Sequence, residues 1–263
     1  MDPIQATVLG LIQGVTEWLP VSSTGHLRIA EHFFGLTVPL LFDVILHFGT
    51  LIVILLFFRK DIKNILEALV KGDFKSENGK LIPLIIVGTV PTILIGFFLG
   101  NTLDTSFSTL PMLGGGFIVG AVALYASKFG SERKESFTFM EALLIGTAQG
   151  VAIIPSISRS GMTIIVALLL GIRREKAFKF SFLLSVPSII GALGLTLYEQ
   201  HGLLTLAGIG LPEIVVGVAV SIVVSFLALE LLWRTLASSK FHFFAVYCAA
   251  VGALLISLSF MGF

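Results

Sequence analysis

Six stretches of the chain are apolar for long enough to cross a bilayer as helices: Leu40 to Phe58, Leu81 to Leu99, Leu110 to Ala126, Ala177 to Leu197, Leu211 to Trp233 and Phe241 to Phe260. About 20 apolar residues in a helix span the roughly 30 Å hydrocarbon core. Two further regions are apolar but interrupted. Met1 to Glu17 is too short for a comfortable crossing, and Ser22 to Phe34 carries His26, Arg28, Glu31 and His32. Glu141 to Ile153 and Gly161 to Gly171 are likewise short arms around a polar break. Irregular backbone survives at membrane depth only where protein or a water-filled cavity satisfies its amides. Each interrupted region therefore predicts a re-entrant hairpin, about residues 2–35 and 138–171, that enters the membrane and returns to the side it came from. Between the first two crossings, Ile62, Ile65, Leu66, Leu69 and Val70 follow helical spacing. Asp61 as N-cap and Gly72 as stop would frame a short helix lying on the inner membrane surface.

The two interrupted regions are related to each other. Shifting the chain by 136 positions places Gly10 on Gly146, Gln13 on Gln149, Gly14 on Gly150, Val15 on Val151, Ser22 on Ser158 and Gly25 on Gly161. Six matches in one ungapped window point to two related halves, 1–127 and 128–263, each a re-entrant helical hairpin followed by three transmembrane helices. The predicted fold class is thus an all-α polytopic membrane protein with an internal repeat.

Composition supports this reading and charge orients it. The chain is 56% hydrophobic and 13% charged, with a mean hydropathy of +1.01, outside the range of soluble domains. A net charge of +1, with basic residues dispersed among short loops, excludes a nucleic-acid footprint. The single cysteine, Cys248, excludes a disulfide framework and reads as a small packing residue. The start of the chain has no basic n-region or small-residue cleavage site, so no removable signal peptide is expected. Arg59, Lys60, Lys63, Lys71, Lys75 and Lys80 crowd the loop after the first crossing. Lys128, Arg133 and Lys134 precede the second hairpin, Arg173, Arg174 and Lys176 follow it, and Arg234 and Lys240 sit before the last crossing. The alternate loops, Gly100 to Thr109 and Tyr198 to Gly210, hold neither Lys nor Arg. If basic loops are cytoplasmic, both termini face outward and the halves are inverted relative to each other. The hairpins then enter from opposite sides, so their tips can meet near the midplane. Full crossings in place of hairpins would give the same parity.

An ionisable group at membrane depth is costly and marks function. Glu17, His26 and Arg159 are the three strongest cases. Gln13 and Glu17, four apart, share a helix face, and a carboxylate beside an amide can hold a hard cation through oxygen. An equally weighted reading ties Glu17 to Arg159 or Arg28 as a structural ion pair. Pro20 disfavours helix at Leu19 and puts Ser22, Ser23 and Thr24 in a turn or at a helix start. Simple capping accounts for Ser22 and Thr24. Ser23, three residues before His26, has the spacing of a hydroxyl activated by an imidazole, while His26 alone would read as a hydrogen-bonded core histidine. His32, His47, His201 and His242 lack such neighbours and read as structural. In the second break, Ser158, Arg159, Ser160 and Gly161 open a helix whose free N–H groups, hydroxyls and guanidinium suit phosphate oxygens.

On Gln13 to Glu17, Pro20 to His26 and Pro155 to Gly161, the chain resembles the BacA-type undecaprenyl pyrophosphate phosphatase family. That family carries E/Q-x-x-x-E running into P-V-S-S-T-G-H, and later P-G-x-S-R-S-G. The resemblance covers the whole length and includes the inverted halves. Gln13 stands where many members have glutamate, and Ser156 replaces the glycine after Pro155. The resemblance implies hydrolysis of undecaprenyl pyrophosphate to the monophosphate and inorganic phosphate, recycling the lipid carrier of cell-wall glycans. It also implies assistance by a divalent cation, Mg2+ or Ca2+, and a site opening to the outer face of the plasma membrane. The expected mechanism places Ser23, or a water it positions, as nucleophile and His26 as base. Glu17 with Gln13 would hold the metal, and Arg159, Ser158, Ser160 and Gly161 the phosphate. The expected partners are the polyprenyl diphosphate and membrane lipids, and a homodimer is compatible with the sequence. The competing reading is an inverted-repeat transporter or flippase of a phosphorylated lipid or anion, which needs Arg159 to bind but no nucleophile beside a base.

Overall fold

A computed structural model of the chain describes residues 1–36, 38, 40–107, 109–199 and 209–261, which are organised as helices and connecting turns. His201 lies outside the described residues. The first half runs α1 (Pro3–Thr16), α2 (Ser23–Phe34), α3 (Leu40–Phe57), α4 (Arg59–Lys71), α5 (Leu81–Ser106) and α6 (Leu110–Ala126). The second runs α7 (Phe139–Val151), α8 (Arg159–Leu169), α9 (Arg174–Glu199), α10 (Leu211–Ala237) and α11 (Phe244–Phe260), with 3-10 turns at Ser127–Phe129 and Phe241–Phe243. Five helical segments, Leu81–Gly100, Leu110–Phe129, Arg174–Tyr198, Leu211–Ala237 and Phe241–Phe260, are long and apolar enough to cross a bilayer, and α3 with α4 makes a sixth if that bent pair is one span. Ile86, Phe97, Phe98, Val122, Val223 and Val246 are each 60–70% exposed, a surface suited to lipid rather than water. The chain is an all-α, multi-span membrane protein.

Local chemistry explains where the broken helices start and stop. Asp2 Oδ1 accepts from the Gln5 amide at 2.8 Å, and Gln5 Oε1 accepts from the Asp2 amide at 2.9 Å. Thr138 and Glu141 make the same reciprocal cap, at 3.2 and 2.7 Å. Ser22 Oγ caps α2 by accepting from Gly25 N at 3.3 Å, and Ser158 Oγ caps α8 by accepting from Gly161 N at 3.1 Å. At their far ends, Gly35 (φ 60°) and Gly171 (φ 86°) take the left-handed conformation that ends a helix. Each of these pairs is separated by the same 136 positions as the sequence repeat.

Packing exchanges partners between the halves. α1 lies on α10 and α7 on α5, while α6 packs on α11 and α3 on α9. The close crossings depend on missing side chains: a Cβ on Gly10 would run into the Gly217 carbonyl, and one on Gly146 into that of Gly88. Leu9 and Ala6 of α1 share a buried cluster with Leu27 of α2, so the first broken segment folds back on itself. In the main core, Trp18 stands edge-on to Phe182 at 5.5 Å, and Phe58 and Phe178 pack on the same ring at 6.0 and 4.7 Å.

The surface helix begins three residues earlier than expected, with Phe58 rather than Asp61 at the cap position. α4 turns from α3 by 77° at Phe58, whose buried ring makes the corner without a side-chain cap. Asp61 is not the N-cap; it sits in the first turn and pairs with Lys179 Nζ at 2.5 Å. Gly72 does end the helix, at φ 63°. Ile62 and Ile65 pack on the core, whereas Leu66, Leu69 and Val70 face outward.

Candidate active site

The breaks of the two hairpins touch each other. Ser160 Oγ, in the first turn of α8, donates to the Trp18 carbonyl in the first break at 3.0 Å. A Cβ on Gly25 would run into Phe117 and the Cα of Ser156, and one on Gly161 would press on Pro20, so both close approaches favour glycine. Each break holds one non-glycine residue at positive φ, Ser22 (68°) and Ser156 (73°). The family pattern has glycine where Ser156 stands, and the left-handed backbone there is the reason glycine suits it.

Glu17, 7% exposed, is the hub of this junction. Its Oε1 is paired with Arg159 of the opposite hairpin through Nη2. Its Oε2 accepts from Ser23 Oγ at 2.7 Å and from Gln13 Nε2 at 3.2 Å. Burial of a lone carboxylate or guanidinium would be prohibitive, and the pair resolves the cost for both. Arg159, and not Arg28, is the cation on Glu17. Ser23 and Arg159 are the first residues of α2 and α8, and both follow the serine that caps their helix.

The expected bond between Ser23 and His26 is replaced by another. Ser23 donates to Glu17, while His26 Nδ1 lies 2.7 Å from the Ser22 carbonyl and Nε2 lies 2.8 Å from the Tyr247 hydroxyl. The helical start brings both about: Ser23 at the first position looks back across the break to the end of α1, and His26 one turn on reaches the carbonyl of the cap residue. Ser158 and Ser160 are also committed. Ser158 Oγ caps Gly161 N, lies 3.1 Å from Ser160 Oγ, and both serines are buried. Of the predicted phosphate group, Arg159 carries the charge at the junction, whereas Ser158, Ser160 and Gly161 build the frame that aims it.

Two residues at the site were read differently or not at all from sequence. His47 of α3 places Nε2 3.5 Å from Glu17 Oε2, with Nδ1 2.8 Å from the Asp43 carbonyl. Its signal was present, since it is an ionisable residue inside an apolar crossing. Tyr247 had no such signal, lying 221 residues from His26 in an ordinary apolar helix. Cys248 is a buried packing residue, its Sγ 3.7 Å from the Pro20 carbonyl.

The donor set is thin for a metal but fits one shared with a ligand. Gln13 is fully buried, and its Oε1 has no hydrogen-bond partner. Flipping the amide would set that oxygen against Glu17 Oε2, so the carboxylate dictates the orientation. One carboxylate and one unpaired amide oxygen suit a hard cation. Among the described residues no three His, Cys, Asp or Glu side chains group as a cage. Phosphate oxygens would have to complete the shell.

Comparison with known proteins fits this arrangement. A family model described as "Bacitracin resistance protein BacA" matches residues 6–254. The chain belongs to the BacA family. A BacA relative named undecaprenyl-diphosphatase, from Carboxydothermus hydrogenoformans, is 41% identical over 100% of this chain and 99% of its own. One of the same name from Desulfosudis oleivorans is 41% identical, covering 96% and 97%. Another, from Korarchaeum cryptofilum, is 36% identical, covering 98% and 100%. Family membership thus spans both hairpins and the junction between them.

Proposed function

We propose that this protein is an undecaprenyl-diphosphate phosphatase that hydrolyses the carrier lipid diphosphate to the monophosphate and inorganic phosphate. The observation that carries the reading is the junction at Glu17, where one buried carboxylate holds the Ser23 hydroxyl and the Arg159 guanidinium from opposite hairpin tips. The shared name of its full-length relatives supplies the substrate.

In this mechanism the diphosphate competes with Glu17 for Arg159, which neutralises the charge that spreads over the phosphoryl oxygens. As Arg159 turns to the substrate, the Glu17 carboxylate becomes a better acceptor for the Ser23 proton across their 2.7 Å bond. Ser23 Oγ, or a water in its place, attacks the terminal phosphorus, and the bond to the bridging oxygen breaks. The leaving group is a phosphate monoester with a second pKa of about 6, so it departs without a dedicated acid. Where Oγ itself has attacked, a water then attacks the phosphorus, the P–Oγ bond breaks and Oγ recovers its proton from Glu17. His26, one turn along α2, is the final acceptor of the water's proton. Glu17 and Gln13 are the residues that would hold a divalent cation, which when bound would supply positive charge to the diphosphate. The Lys/Arg bias of the loops supports entry of the first hairpin, which carries Ser23, from the outer side, and with it a site opening to the outer leaflet of the plasma membrane. Assembly as a homodimer is part of the same proposal.

The decisive experiment is phosphate release from a polyprenyl diphosphate by the purified protein in detergent. Detergent abolishes compartments, so a transporter gives no product there. Turnover that persists undiminished in Ser23→Ala sinks the role given to Ser23, and no turnover by the intact protein with Mg2+ or Ca2+ sinks the enzyme reading.

A further inference from the structure

The imidazole of His26 is held on every side. The Ser22 carbonyl can only accept, so Nδ1 at 2.7 Å carries the hydrogen. In the neutral ring this leaves Nε2 bare, and the Tyr247 hydroxyl at 2.8 Å is its donor. The Tyr247 ring stacks on the imidazole, with planes 12° apart and centroids at 5.7 Å. Phe117 meets the imidazole edge-on at 5.1 Å and 86°. Phe117 belongs to α6 and Tyr247 to α11, and these helices pack closely together, so both aromatic walls around His26 come from one helix pair. Gly25 rests directly on Phe117, which holds the backbone of α2 beside it. Tyr247 is 47% exposed, so part of its ring lies on the outer surface of the helix pair.

We infer that Tyr247 serves the hydrolysis through His26: its hydroxyl holds the imidazole with Nε2 as the acceptor and hands on to Nε2 the proton that water gives up, taking that proton in its place. The inference rests on the reading of the site given above, in which His26 accepts a proton. A tyrosine on a membrane helix also has an ordinary role, packing its ring while its hydroxyl finds a polar partner. The two roles separate on Tyr247→Phe, which keeps the ring stack and removes only the donor.

The test is a double-mutant cycle on the purified protein with a polyprenyl diphosphate, following kcat and KM separately. Tyr247→Phe is expected to lower kcat roughly tenfold, the size of one lost hydrogen bond in the transition state, with KM within about twofold. His26→Asn is expected to lower kcat by about a hundredfold. The double variant should turn over no more slowly than His26→Asn alone. Thermal melting of Tyr247→Phe in detergent should match the parent, which separates the loss from a loosened α6 and α11. Unchanged kcat in Tyr247→Phe with an impaired His26→Asn overturns this inference and leaves the site reading standing. Losses that multiply in the double variant overturn it too. Full turnover in His26→Asn removes His26 from the proposed site, and this inference falls with it.

Discussion

The two re-entrant hairpins share a frame and divide the chemistry. Both begin with a reciprocal cap, at Asp2 and Thr138, both restart their outgoing helix on a capping serine, and both end on a left-handed glycine. Within this frame the repeat places Glu17 opposite Ile153 and Ser23 opposite Arg159. The first tip thus supplies the anion and the hydroxyl, and the second supplies the cation. Gln13 and Gln149 show the same divergence. Gln13 donates to Glu17, whereas Gln149 donates to Thr92 at 3.1 Å and Ser188 at 2.8 Å, tying α7 to α5 and α9. The two hairpins carry the same folding signals, and the proposed site lies where their tips meet.

If that division holds, the largest effect comes from cutting the link between the tips. Glu17→Ala or Arg159→Ala should each reduce phosphate release by roughly a thousandfold or more. Arg159→Ala also strands the buried Glu17 carboxylate, which costs about 3–5 kcal/mol in unfolding free energy. The Glu17→Ala/Arg159→Ala pair should regain part of that stability and none of the turnover. Ser23→Ala should lower turnover by about a hundredfold or more while shifting the melting temperature little, because only one of the donors on Glu17 is lost. His47→Asn, which removes a contact on the same carboxylate, should cost about tenfold in kcat.

The glutamines probe the division directly. Gln13→Leu should depress turnover by about tenfold and weaken its response to Mg2+ or Ca2+. Gln149→Leu should leave turnover within about threefold and cost roughly 1–2 kcal/mol of stability through the two hydrogen bonds lost to Thr92 and Ser188. Turnover lost in Gln149→Leu with the fold intact would show that the second hairpin holds more than a frame and a cation. The smallest difference is in the backbone. Ser156→Gly should stabilise the protein by about 1 kcal/mol, since it relieves a left-handed serine whose hydroxyl has no partner. Ser22→Gly should stay within a few tenths, the relief being offset by the lost cap on Gly25.

Much of this architecture was legible along the chain. Apolar runs of bilayer length located the crossings, and the offset of 136 located both hairpins and their capping serines, because these depend on residues three or four apart. Gly72 ended the surface helix as its type predicts, yet Asp61 did not start it, because the buried Phe58 ring turned the corner first. Ser23 and His26 show the limit more sharply. Their spacing suggested a bonded pair, but a helix start points one back at Glu17 and lets the other reach Tyr247.

What the amino-acid order determined by itself is therefore the set of helices, their breaks and the polar residues admitted to the membrane, since hydrophobic length and capping act locally. The tertiary fold alone decided who faces whom: Arg159 on Glu17 from 142 residues away, His47 from α3, and Tyr247 on His26 from the last helix. Such pairings follow from how helices pack on missing side chains and which buried charges must find each other, and neither is written in any short stretch of sequence.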